Sequence, residues 1–167
     1  MKHSLGHLER DQVVARARSA VGHNTAYQLG AGGRHPLAGS PGNPCDCSGF
    51  VAWCLGIDRY LPNDGLPLYD NGGWFETSAI VRDAKSPFGF VVEVDWSAVV
   101  PSDMLVYGDA GKHQGHIGVV SEVGDGAVKV VHCSHGNWSL RGDAVQETNA
   151  GIFIVSHAIV ARVAWVG

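Results

Sequence analysis

An α+β fold is what this sequence predicts, and three observations predict it. Two stretches with helical apolar spacing lie in the first third of the chain. The later half is rich in valine, isoleucine and aromatic runs, and glycines punctuate the boundaries between them. At 167 residues the chain has the size of one domain, and a single unit over 1–167 is expected. A hydrophobic share of 45% against 17% charged residues excludes a disordered chain. A net charge of -4, with acids and bases interspersed, leaves no electrostatic footprint for nucleic acid or an anionic membrane. No apolar run approaches the ~18 residues that a bilayer span needs.

The first helix is expected from Leu8 to Val21, where Leu8, Val13, Val14, Ala17, Ala20 and Val21 recur at helical spacing and Gly22 supplies the C-cap. Residues 30–44 read as a glycine- and proline-rich loop. A second helix is expected from Asp46 or Cys47 to Leu55, stopped by Gly56, with Cys47, Phe50, Val51 and Cys54 sharing one face. Thr77–Ala84 predicts a short helix. Phe88–Val94, Met104–Tyr107, His116–Val123, Ala127–Cys133 and Ile152–Val163 predict strands of a mostly antiparallel sheet.

Four cysteines invite a disulfide reading, but their spacing opposes it. Cys45 and Cys47 are too close for an unstrained bridge, and Cys47 and Cys54 on one helix stand roughly 10 Å apart. Only Cys133 is a free-ranging partner, so the set reads as mainly reduced thiols. Cys47 sits where a helix begins, and the unpaired N–H groups and dipole there favour a thiolate. Position alone still favours a buried structural cysteine, since free cysteine is among the most buried residue types. Cys45, Cys54 and Cys133 fit that bland reading better.

A cysteine nucleophile needs a histidine distant in sequence. Of the nine, His3 and His7 precede any apolar pattern, His35 lies in the glycine loop and His157 in the last expected strand. His116 opens one valine-rich run and His132 closes the next. If Gly124-Asp125-Gly126 is a three-residue loop, Val123 faces Ala127 and His116 faces Ser134, with His132 diagonal to it on one sheet face. A two-residue loop would instead turn His132 to the other face. Two histidines on one face can serve as a base and the residue that orients it.

These residues together resemble the NlpC/P60 family of cysteine peptidases. Asp46-Cys47-Ser48-Gly49-Phe50-Val51 reproduces the family's nucleophile run in full. Around it stand Ala20-Val21-Gly22, Tyr27, Gly32-Gly33, Leu61-Pro62 and Gly115-His116-Ile117-Gly118-Val119. Pro101-Ser102-Asp103-Met104 is an imperfect Pro-Gly-Asp-Leu, and His132-Cys133 stands for His-Ala. The likeness covers about residues 8–135, and residues 63–100, with Trp74, Phe75 and Trp96, match nothing in it.

The resemblance implies a papain-like α+β fold with the nucleophile at a helix start packed on the sheet. It implies Cys47 as nucleophile, His116 as base and His132 as its orienter. Asp46 and Ser48 would recognise a peptide amine, and Tyr27 would lie near the oxyanion. The implied activity is hydrolysis of an amide bond in peptidoglycan stem peptides, near a D-glutamyl linkage, with no cofactor and no metal. Without a visible signal peptide, the expected location is the cytoplasm or export by a non-Sec route, as for a secretion-system effector or a phage-associated lysin. Delivery machinery or an immunity or inhibitor protein would then be the expected partner. Two rivals use the same residues. One is an acyltransferase on the same Cys and His. The other is a zinc module built from Cys45, Cys47, His132, Cys133 and His135, whose spacing is poor for zinc.

Overall fold

The computed structural model describes residues 8–33, 41–62, 66–154 and 157–164; His3, His7 and His35 lie outside them. Among the described residues the helices are α1 (Arg10–Ser19), α2 (Cys47–Leu55), α3 (Thr77–Ala84) and α4 (His135–Arg141). A two-stranded ribbon pairs β1 (Tyr69–Asp70) with β2 (Trp74–Phe75). The main sheet contains β3 (Val91–Val94), β4 (Met104–Tyr107), β5 (His116–Gly124), β6 (Ala127–Cys133), β7 (Val145–Asn149) and β8 (Ile159–Val163). Its order is β3-β8-β4-β5-β6-β7, with every neighbour antiparallel. The expected α+β class is what the chain adopts.

Side chains alternate across this sheet and divide the core. Met104, Val106, Ile117, Val119, Val131, Cys133, Ala161 and Val163 pack with Val13, Ala17, Phe50, Val51 and Ile80 of the helices. On the other face Leu105, Val120, Val130 and Val160 pack with Ala150 and Phe153. His116 and His132 fall in the alternation with Val120 and Val130, so their side chains belong to this second face.

α2 has the predicted boundaries. Asp46 Oδ1 accepts the Gly49 N–H at 2.9 Å, and Gly56 closes the helix in the left-handed region at φ 67. Cys47, Phe50, Val51 and Cys54 share a face of this helix as expected, but burial is not confined to it: every residue from Ser48 to Leu55 is buried. A helix apolar all round is one enclosed by its neighbours, and α2 packs against α1, β2, β5 and β6. α1 is shorter than expected. Gln12 accepts the Glu9 N–H at its start, and its last turn unwinds because Gly22, at φ 86, gives its N–H to Asp143 Oδ2 at 2.8 Å.

The final strand is also shorter than Ile152–Val163. Ala150–Phe153 forms a 3-10 turn that drives Phe153 into the core, and β8 begins only at Ile159. β3 begins at Val91 rather than Phe88, after a turn through Pro87 and Gly89. α4 and β7 were not foreseen.

The β5–β6 hairpin departs from expectation in an instructive way. Gly124 pairs with Ala127, so the loop has two residues, Asp125 and Gly126, both with positive φ. Asp-Gly in a primed turn matches the strand twist, which is why the three-residue reading fails. The slip is undone further along. Glu122 faces Lys129 but Val120 faces Val130, leaving Ser121 as a bulge residue with no opposite number. The bulge restores the register past it, so both histidines return to one face.

Gly118 sits beside this arrangement. A Cβ there would lie 2.5 Å from Val130 Cγ1, 2.9 Å from His132 Cβ and 3.1 Å from the Val131 carbonyl. Gly118→Ala should therefore destabilise the chain by about 1–3 kcal/mol, measured as a lowered urea midpoint. An unchanged midpoint would show that β6 gives way freely.

Candidate active site

Cys47 is the first residue of α2 and is half-buried. Its thiol accepts backbone N–H groups from Ser48 and from Ile117, the residue after His116. The helix start was expected to lower its pKa, and the structure reverses that. Burial and the Asp46 carboxylate push the thiol up to about 12, against the smaller pull of the two N–H groups and Arg59. The resting group is a neutral thiol. Cys45, Cys54 and Cys133 are fully buried free thiols.

The histidines meet directly. His116 Nε2 lies 2.9 Å from His132 Nδ1, and their rings are edge to face at 5.0 Å. Phe153 stacks on His116 at 5.1 Å and meets His132 edge-on at 5.8 Å. His132 Nε2 is 2.9 Å from Thr148 Oγ1 on β7. Burial, with the neighbouring His132 as a second cause, pushes His116 down to about 3, and burial pushes His132 down to about 4. Both rings are neutral at pH 7. Tyr107, directly opposite His116 across β4–β5, meets the His116 ring, and burial first, then a thiolate charge at nearby Cys47, raise its phenol pKa. A cleft of about 650 Å³ opens beside Tyr107, lined by Gly108, Ala110, Lys112, His113, Gln114 and His157.

Asp46 and Ser48, expected to meet a substrate amine, are turned into the protein at 1% and 4% exposure. Arg59 Nη2 donates to Asp46 Oδ2 at 2.7 Å and to Ser48 Oγ at 3.0 Å, while Nη1 donates to the Ala31 carbonyl at 2.7 Å. Gly30 N–H takes the remaining side of Oδ2 at 2.7 Å. The carboxylate is thus shared between an N-cap and a buried ion pair, a well-compensated arrangement that ties the 30–33 loop to the start of α2. Tyr27 bridges to Cys45 through the backbone, and its ring meets His135 edge-on at 5.7 Å. Burial first, then the charges of Cys47 and Asp46, raise its phenol pKa.

The structure thus joins His116 to His132, sets Cys47 against the next backbone N–H, and keeps Asp46, Ser48 and Tyr27 around the start of α2. The donors of the zinc alternative are divided by the sheet, with His132 on one face and Cys133 on the other. Arg59, Tyr107, Thr148 and Phe153 went unnoticed in the sequence. Only Tyr107 carried a usable signal, as the residue a β4–β5 hairpin would set opposite His116.

Cys47 at the start of α2, whose thiol takes the Ile117 N–H, and the bonded pair of His116 with His132, of which His116 adjoins Ile117 in the chain, make a candidate cysteine-dependent site. The family model of the CHAP domain matches residues 38–137, more than half of the sequence and including Cys47, His116 and His132. The chain therefore belongs to the CHAP domain family, a cysteine/amidase domain related to the NlpC/P60 and papain-like peptidases. CHAP domains are typically hydrolases acting on peptidoglycan. A search of curated proteins finds no match.

The buried neutral rings make stability depend on pH. Each unfolded histidine takes its proton near 6.5, but the folded ones wait until about 3 and 4. Between those values the unfolded chain binds more protons, so stability falls as pH drops below 6.5. At pH 5 the loss should be about 2 kcal/mol for each ring. Urea unfolding at pH 7 and 5 should show it, and the double variant His116→Gln/His132→Gln should flatten the slope.

Proposed function

We propose that this chain is a cysteine peptidase or amidase that hydrolyses an amide bond in peptidoglycan stem peptides, at a D-glutamyl linkage. The observation that carries the reading is the bond of His116 to His132, with the N–H of the next residue, Ile117, reaching the Cys47 thiol at the start of α2. His132 engages Nε2 of His116, which leaves Nδ1 to act as the base. As Cys47 Sγ attacks the scissile carbonyl carbon, its proton passes to Nδ1. The carbonyl electrons move onto oxygen, where backbone N–H groups at the start of α2 hold the oxyanion. Collapse breaks the C–N bond, and Nδ1 returns the proton to the leaving amine. A thioester on Cys47 remains. Water, deprotonated at Nδ1, then attacks the thioester and releases the carboxylic acid and the thiol.

Because thiol and imidazole both rest neutral, proton transfer and attack occur together rather than from a preformed ion pair. Lys112, His113 and His157 around the cleft beside Tyr107 suit the carboxylates of a stem peptide. The D-glutamyl assignment is supported by the resemblance to NlpC/P60 members, and peptidoglycan by the CHAP family.

Purified peptidoglycan incubated with the wild type should release muropeptide fragments ending at D-glutamate, read by mass spectrometry. Cys47→Ala should release none, and His116→Ala should lower kcat by roughly 10²–10⁴. Equal release by wild type and Cys47→Ala, or none by either, would overturn the reading.

A further inference from the structure

The contacts of Thr148 bear on where the protons of the histidine pair lie. Its hydroxyl is 3.1 Å from the Asn149 carbonyl oxygen and 2.9 Å from His132 Nε2. A hydroxyl has one proton, and here it is directed to the Asn149 carbonyl. Toward His132 the threonine oxygen is then an acceptor, and Nε2 must carry the hydrogen. A neutral imidazole has only one N–H, so His132 Nδ1 is an acceptor and His116 Nε2–H donates to it at 2.9 Å. By the same count His116 Nδ1 is bare. The geometry points to Thr148 as a positioning residue that sets the tautomers of both histidines and so keeps the proton-accepting lone pair on Nδ1 of His116.

Thr148 is placed for this by the sheet. It faces Val130 across β6–β7, one step diagonal from His132 on the same face. Valine is nearly isosteric but cannot accept, so His132 Nε2–H would lose its partner in a buried setting. The proton would move to Nδ1 of His132, His116 Nε2 would become the acceptor, and His116 Nδ1 would be capped by hydrogen.

The catalytic half of this inference rests on His116 as the base; the tautomer half does not. Ring-nitrogen NMR of the wild type should show Nε2–H on both histidines. Thr148→Val should invert both tautomers and lower kcat about 10²-fold with KM little changed, while Thr148→Ser restores both readouts. Wild-type rings bearing Nδ1–H would overturn the proposal. So would a Thr148→Val variant that keeps the tautomers, whatever its rate. A wild type with the expected tautomers but no hydrolysis would overturn the hydrolase reading and leave the proton assignment standing.

A second inference comes from a separate observation. Cys45 Sγ and Cys133 Sγ lie 3.3 Å apart, both fully buried, and the Cys133 thiol also reaches the Cys45 carbonyl at 3.3 Å. A disulfide needs the sulfurs only about 1.3 Å closer. We infer that Cys45 and Cys133 are a disulfide site formed by exchange with a small-molecule disulfide during folding, before the pair is enclosed. One thiolate attacks the donor and releases one thiol; the second cysteine attacks the mixed disulfide and releases another. Two protein thiols and one donor disulfide thus become one bridge and two small thiols.

That bridge would staple the segment before Cys47 to the residue after His132. Refolding with oxidised glutathione should give a mass 2 Da lower, a single 45–133 bridge in the peptide map and Cys47 still alkylatable. The thermal midpoint should rise by roughly 10 °C. Cys133→Ser should show neither change. Four alkylatable thiols after such refolding, or a bridge to Cys47, would overturn the inference.

Discussion

The hydrogen bond between His116 and His132 is the interaction on which the site depends, and much of the sheet serves it. It exists because Ser121 bulges out of β5 and corrects a register that the Asp125-Gly126 turn alone would have set one residue off. It has room because residue 118 lacks a side chain, so β6 can bring His132 alongside. Phe153, delivered by the 3-10 turn before β8, covers both rings and keeps water from them. The same cover makes the rings neutral. Protonating either one would place an unpaired charge in a buried, partly aromatic setting.

The opposing half of the site is built on a different principle. α2 is apolar on every side and has no polar face to steady it against solvent, so its orientation comes from its ends. At the C-terminal end Gly56 turns the chain away. At the N-terminal end Asp46 caps the helix and is itself held by Arg59, which also grips the 30–33 loop. Gly49 is required in this junction, since a Cβ there would collide with the Ala31 carbonyl and the Arg59 guanidinium. The cost falls on Cys47. The carboxylate that fixes its helix also raises its thiol pKa, and burial adds more than the helix N-terminus removes.

Much of this was legible in the sequence because local chemistry decides it. α2 was placed to the residue by Asp46 before it and Gly56 after it, and α3 and β4 by their apolar patterns. The pairing of His116 with His132 was correct although the loop length behind it was wrong, since bulge and turn cancel. A bulge leaves no composition signal at Ser121, and the sum of two compensating shifts cannot be read from periodicity. β7 escaped because Val145-Gln146-Glu147-Thr148-Asn149 is a polar edge strand with little apolar alternation, and Thr148 was lost with it. Arg59 escaped because a lone arginine in an irregular stretch looks solvated, and only the fold reveals the buried carboxylate it meets. The thiol pKa was misjudged for a related reason. Helix position is visible in sequence, but enclosure is not.

On the proposed function, Cys47 and His116 both rest neutral, and base catalysis rather than a stored thiolate supplies the nucleophile. The most direct measurement is the rate of Cys47 alkylation by iodoacetamide from pH 4 to 10, followed by peptide mass spectrometry. A neutral pair predicts a rate that climbs about tenfold per pH unit across the range, because thiolate accumulates only toward the raised thiol pKa of about 12. A plateau between pH 4 and 8, the signature of a thiolate held by a protonated imidazole, would contradict it.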